Sequence, residues 1–219
     1  TLTRLQSGDL SEDLVTEWYT EKNTAIWERT IHARNGRNFQ VIFVLDRSGS
    51  MGGDRYETSA GILAAMCHAF EDHRIQSAIY VFSSRNVQIK KLDEPAAFVN
   101  GQSNIMATLE KWSPGGGTDP SDTFMALQAD PAYVNDDVKI VFFLTDGDVD
   151  RQEPIQESIK ELSARGDWYF VPIGINFTAG ELARLQSFTE PGVARSYRDA
   201  DLAHLGEDIF NLIDEEFIK

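Results

Sequence analysis

Cysteine is almost absent from this chain: Cys67 is the only one in 219 residues, so no internal disulfide forms. Placed among Leu63, Met66 and Phe70, it reads as a small buried hydrophobe rather than a reactive thiol. A chain without disulfides suits a reducing compartment, and a cytoplasmic location is the expectation. Long apolar runs are missing as well. Nothing approaches the roughly 18 consecutive apolar residues of a membrane span, and the opening residues, which start at Thr1, carry no signal-peptide pattern. Basic residues are scarce, with 20 Lys and Arg against 35 Asp and Glu for a formal charge of −15. That balance argues against nucleic acid, whose affinity depends on Lys and Arg neutralising phosphates, and against an anionic membrane surface. His32, His68, His73 and His204 form no set of three or four converging ligands of the kind zinc needs.

What the chain does hold is enough apolar sequence for one globular domain, at 42% apolar and 25% charged. Its most informative stretch is Val41-Ile42-Phe43-Val44-Leu45-Asp46-Arg47-Ser48-Gly49-Ser50, where five apolar residues lead directly into one carboxylate and two hydroxyls. An unbroken apolar run is the pattern of a strand covered on both faces, as in parallel sheets beneath helices, and such sheets take ligands beyond their strands' carboxyl ends. Asp46, Ser48 and Ser50 alternate with Arg47 and Gly49, so a tight turn folds three oxygens toward one point. Oxygen donors of this kind suit Mg²⁺ and other hard divalent cations. Val138 to Leu144 repeats the design and ends in Thr145-Asp146-Gly147. Side by side, two such strands bring Asp46 and Asp146 together, where unpaired buried carboxylates are costly and a cation accounts for them.

Periodicity assigns the rest. Residues 1–38 are expected to form an N-terminal helix or arm packed on a domain spanning 39–219. A helix starting at Asp54 or Thr58 buries Ala60, Leu63, Cys67 and Phe70 on one stripe, with Gly61 serving close packing onto the sheet. Ile75 to Phe82 and Val87 to Ile89 read as strands whose connection is too short for a crossover, so the second runs antiparallel at the sheet edge with Lys90 and Lys91 exposed. Helical turns fill Pro95 to Trp112, turning Phe98, Ile105, Met106, Leu109 and Trp112 inward. Pro114-Gly115-Gly116-Gly117-Thr118-Asp119-Pro120 lacks the Gly-Lys-Ser/Thr ending of a phosphate loop. Alone it reads as a flexible surface turn, and Thr118 offers one more oxygen. Further helices carry Phe124, Met125 and Leu127, then Ile155, Ile159 and Leu162 before Gly166. Trp168 to Ile173 is the fifth strand, its regular pairing expected to end at Pro172. A helix over 179–187, a short strand near 193–197 and a last helix over 201–217 burying Leu202, Leu205, Ile209 and Leu212 complete the chain. The alternation specifies a doubly wound α/β domain with a six-stranded, mostly parallel sheet, one antiparallel edge strand and helices on both faces.

With Asp46-Arg47-Ser48-Gly49-Ser50, Thr118 and Thr145-Asp146-Gly147 assembled, the chain resembles the von Willebrand factor type A (vWA) domain family and its metal-ion-dependent adhesion site (MIDAS), from about Asn38 onward. Pro114 to Asp119 adds similarity to microbial intracellular members, including those of tellurium-resistance gene clusters. The resemblance implies a Rossmann-like fold and a metal site of Asp46, Ser48, Ser50, Thr118 and Asp146. Within it, Ser48 and Ser50 would bind the ion directly, Thr118 would join them in the ligand-accepting state, and Asp46 and Asp146 would act largely through water. It also implies Mg²⁺ or Mn²⁺, with Ca²⁺ a third candidate, a chain that is monomeric alone, and a protein partner engaged through an acidic residue. Arg47, Met51, Gly116, Gly117 and Asp148 are the expected partner-binding rim, although from the residues alone Arg47 reads first as an outward-pointing side chain paired with a nearby acid such as Asp54. The expected function is a metal-dependent interaction module and not an enzyme. A metal-assisted hydrolase or phosphoryl-transfer enzyme using the same aspartates is the alternative, but no second acid–base residue is placed by motif and no Lys follows the glycines.

Overall fold

The computed structural model describes residues 38–97, 99, 104–147, 149–150, 152–187 and 195–213. The arm expected over 1–38, apart from Asn38, lies outside the described residues, as do Phe98, Asp148 and residues 214–217 of the helix expected over 201–217. Six strands make one sheet: β1 (Phe39–Asp46), β2 (Gln76–Phe82), β3 (Asn86–Lys90), β4 (Val138–Thr145), β5 (Trp168–Ile175) and β6 (Arg195–Tyr197). Their order is β3-β2-β1-β4-β5-β6, and only the β2–β3 pair is antiparallel. Among the described residues the helices are α1 (Asp54–Asp72), α2 (Ile105–Leu109), α3 (Ser121–Ala129), α4 (Gln152–Ser163), α5 (Ala179–Gln186) and α6 (Leu205–Ile213). The chain winds outward from β1 through β2 to β3, then returns to β4 on the other side of β1. The winding therefore reverses between β1 and β4, and a crevice at their carboxyl ends is where such sheets place ligands.

The absence of polar alternation in β1 follows from its position. Val41, Phe43 and Leu45 enter a layer with α1 and α6, including Leu63, Met66, Phe70, Ile209 and Phe210. Ile42 and Val44 enter the opposite layer with Phe124 of α3, Ile155 and Leu162 of α4, and Leu185 of α5. All eight residues of β1 are buried, and each large apolar side chain removed from water stabilises the fold by about 1.5–3 kcal/mol. Phe43 stacks on Phe70 and Phe142 at centroid distances of 6.2 and 5.7 Å, and Phe70 meets Phe210 edge-on at 5.1 Å. Aromatic contacts thus tie the central strand to the last helix.

Several expectations are corrected. Lys91 is exposed, but Lys90 is buried: its Nζ donates to the Ser77 carbonyl at 2.6 Å and the Lys91 carbonyl at 3.1 Å, so two acceptors compensate an ammonium whose pKa burial lowers. Pairing does not end at Pro172, which faces Phe143 in a ladder running on to Gly174 with β4 and to Ile175 with β6. Proline lacks a single donor, and the residues either side keep theirs. The last helix is preceded by a 3₁₀ turn over Asp199–His204. Gly61 does not mark a close approach, because a Cβ built there finds nothing within 4 Å among the described residues. Its helical backbone has no need of glycine either, since its φ is not positive. Gly61→Ala is therefore expected to raise unfolding stability by about 1 kcal/mol through helix propensity and a less flexible unfolded chain. Urea denaturation checks this, and a loss of stability would reveal a contact that the glycine accommodates.

Candidate metal centre

The β1–β4 register puts Leu45 beside Leu144 and so brings Thr145 against Asp46. Asp46 has no exposed surface. Its Oδ1 accepts from the Ser48 backbone N–H at 2.7 Å, and its Oδ2 accepts from the Thr145 hydroxyl at 2.6 Å. Burial pushes this carboxyl up to about 6, against the opposing hydrogen bonds from Thr145 and Ser48, with the negative charge of Asp146 adding a little to the rise. The chain then turns through the 3₁₀ segment Gly49–Met51. This turn sets the Ser48 and Ser50 hydroxyls 2.9 Å apart, and the Ser50 hydroxyl donates to Asp146 Oδ1 at 2.7 Å. Asp46, Ser48, Ser50 and Asp146 are thus drawn into one run of oxygens at the sheet's switch point.

The glycine loop closes over this turn and is no flexible excursion. Gly115 N–H donates to the Arg47 carbonyl at 2.7 Å, Gly49 N–H to the Gly116 carbonyl at 3.2 Å, and Gly117 N–H to Ser84 Oγ at 2.9 Å. Gly116 has φ +91° and would press a Cβ to 3.1 Å from Ser84 Oγ, so conformation and space both require glycine. Thr118 is held through its backbone, its carbonyl accepting from Asp150 N–H at 2.7 Å and its N–H donating to Asp150 Oδ2 at 3.3 Å. Its side chain is half-buried, and its hydroxyl makes no hydrogen bond to the other four candidates, so the hydrogen bonds join only those four.

The rim divides differently from expectation. Gly116 and Gly117 are exposed. Met51 is fully buried in the core, because the 3₁₀ turn rotates it inward, and it is not a surface residue. Arg47 does not pair with Asp54: its guanidinium lies 5.4 Å from the Trp112 ring centre and donates to the Ser113 carbonyl at 3.2 Å. Cation–π attraction and a carbonyl acceptor hold it along the glycine-loop side. Asp148 lies outside the described residues.

Two participants were not anticipated. Thr145 orients the buried carboxylate, although its place directly before Asp146 made it readable. Arg55, in the first turn of α1, donates through Nη1 to Asp146 Oδ2 at 2.9 Å and to the Ser50 carbonyl at 3.2 Å. A cation at a helix N-terminus opposes the helix dipole, and that mismatch was the available hint of a partner elsewhere.

Among the described residues no three His, Cys, Asp or Glu side chains group as metal ligands. The switch-point donors are instead a mixture of hydroxyls and carboxylates. An all-oxygen set of this type fits a hard divalent cation such as Mg²⁺ or Mn²⁺. For the protein without metal, burial of Asp46 has a definite pH signature. Its folded pKa is raised, so the stability linked to its protonation is present below about pH 4 and lost as pH rises through about 6, by up to about 3 kcal/mol. In chelator, Asp46→Asn is expected to be more stable than the parent at pH 7, with the gap vanishing near pH 4. Denaturant midpoints across that range measure it, and parallel pH profiles would contradict it.

The comparisons agree with this architecture. Residues 41–148 match the model of the von Willebrand factor type A domain. No match is found among curated proteins. Among solved structures, proximal thread matrix protein 1 from the mussel byssus, with a zinc-occupied MIDAS motif, is similar at TM-score 0.62 and 19% identity over 84% of this chain and 46% of that one. The von Willebrand factor type A protein from Catenulispora acidiphila gives TM-score 0.54 and 19% identity, covering 80% of this chain and 42% of that one. The vWF domain of the type V pili tip protein Mfa5 from Porphyromonas gingivalis gives TM-score 0.60 and 11% identity over 84% and 97%. The chain spans about half the length of the mussel protein. At these identities the likeness is one of fold, a six-stranded, mostly parallel sheet flanked by helices. With the family model running from β1 through the glycine loop to the end of β4, residues 41–148 belong to the von Willebrand factor type A domain family.

Proposed function

We propose that this vWA domain, from a family of metal-dependent adhesion and interaction modules, carries an intact MIDAS. In this reading Asp46, Ser48, Ser50, Thr118 and Asp146 hold Mg²⁺ or Mn²⁺, and a protein partner binds by presenting an acidic side chain. The observation that carries the reading is the run of oxygens in which the Ser48 and Ser50 hydroxyls lie 2.9 Å apart and Ser50 reaches Asp146 at 2.7 Å.

Each residue has a physical task. Ser48 and Ser50 supply neutral direct ligands, while Asp46, held by Thr145 and the Ser48 N–H, braces the turn that presents them. Thr118 approaches from the loop that Gly116 and Gly117 allow to pass close by, and those exposed glycines leave room for a partner's backbone. A divalent ion bound mainly by neutral hydroxyls keeps most of its charge, which supplies the attraction for an incoming carboxylate. Binding rather than catalysis is favoured because both aspartates are already engaged: Asp46 by Thr145 and Ser48, Asp146 by Ser50 and Arg55. Neither carboxylate stands free as a general base. The glycine loop's likeness to the tellurium-resistance type adds an intracellular setting to the proposal.

Titration calorimetry on chelator-treated protein is expected to show one Mn²⁺ or Mg²⁺ bound per chain. Ser48→Ala and Asp46→Ala should each lower that affinity by about tenfold or more. If the folded wild type takes up neither cation, the reading fails.

A further inference from the structure

Arg55 bridges two carboxylates that are far apart in sequence. Its Nη1 lies 2.9 Å from Asp146 Oδ2, while its Nε and Nη2 reach Asp199 Oδ1 and Oδ2 at 2.8 and 3.3 Å. The Asp146 side chain is only 1% exposed and that of Arg55 is 33% exposed. The guanidinium is fixed in place from behind. Asn176 donates through Nδ2 to Asp199 Oδ1 at 2.8 Å, and its own Oδ1 accepts from the Asp199 N–H at 3.1 Å. Asn176 does so from a left-handed backbone conformation with φ +59°, one that asparagine tolerates better than most residues. Asp199 in turn holds the guanidinium's pKa above its ordinary value, with Asp146 adding to the effect, and Arg55 keeps the Asp199 carboxyl below the usual carboxylate range.

We propose that Arg55 is a built-in competitor for the divalent cation: it occupies one oxygen of Asp146 with a fixed positive charge and so sets the affinity of the site. The proposal rests on the metal-binding reading above. Of the two Asp146 oxygens, Oδ1 accepts from the candidate ligand Ser50, whereas Oδ2 is taken by Arg55. An arriving dication meets the like charge of the guanidinium and an aspartate whose own charge is already largely answered. Arg55 is a positioning residue in this account, acting through Asp146 and not on the partner. The arrangement makes cation binding weaker than the same oxygens would give alone, while keeping Asp146 compensated when no cation is present.

The test is calorimetric titration of MnCl₂ into chelator-treated full chain, comparing wild type with Arg55→Ala, Arg55→Gln and Asp199→Asn, each checked for folding by circular dichroism. Arg55→Gln keeps a donor for Asp146 but removes the charge, so it is informative even if Arg55→Ala does not fold. Both Arg55 variants are expected to bind Mn²⁺ about tenfold more tightly, the order expected from removing a unit charge a few ångströms from a dication in a partly solvated site. Asp199→Asn cuts the same link to the 199–204 segment but leaves the charge on Asp146, so its affinity should stay within about threefold of wild type. Unchanged or weakened binding by Arg55→Gln, with wild type binding normally, overturns the proposal. An equal gain in Asp199→Asn also overturns it, by assigning the effect to the freed segment. If wild type binds no Mn²⁺ at all, the metal-binding reading itself falls, an outcome distinct from the other two.

Discussion

A carboxylate with no exposed surface sits at the end of the central strand, and the surrounding structure is built to keep it there. Asp46 is compensated by one hydroxyl from the neighbouring strand and one backbone N–H from its own turn. The first requires β1 and β4 to be adjacent, parallel and in register so that Thr145 meets Asp46. The second requires the chain to double back immediately after the strand, which is what sets Ser48 and Ser50 side by side. Sheet order and local turn are therefore two halves of one solution to burying a charge, since an uncompensated carboxylate there would cost several kcal/mol.

The loop from Pro114 to Pro120 serves the same end from the other side. Its backbone is pinned to Arg47, Gly49, Ser83, Ser84 and Asp150, so the loop that carries Thr118 is held firmly against the Asp46–Ser50 turn. Glycine is required at 116 because the loop must pass within contact distance of Ser83 and Ser84. Arg47, the one cation inside the Asp46–Ser50 motif, is drawn off to Trp112 and the Ser113 carbonyl. Its charge is thereby fixed beside the loop.

Much of this was legible in the sequence, for physical reasons. The apolar runs before Asp46 and Thr145 are long because both faces of those strands are covered, and ligand-bearing ends follow from the way such sheets wind. Local chemistry announced the turn, the glycine loop and the antiparallel hairpin. Contacts that depend on three-dimensional proximity were not legible. Arg55 meets Asp199 across 144 positions, and no local pattern around either residue announces the other. Lys90 looked like an edge residue because burial of a lysine depends on whether its amine finds carbonyls, and Ser77 lies 13 positions away. Met51 was assigned to the rim from its neighbours in sequence, while the 3₁₀ turn sends it into the core. Helical periodicity could not reveal the empty space beside Gly61 either.

The outer strands have a consequence for behaviour at high concentration. β3 contributes only five residues, and next to it stands the exposed Lys91. An unpaired strand is a template for another chain's backbone, and short, charged margins are poor templates. The described β3 edge is therefore a poor template for fibril-like stacking. The chain's net charge of −15 opposes close approach of copies as well, so pairing of one β3 edge with another is disfavoured twice over.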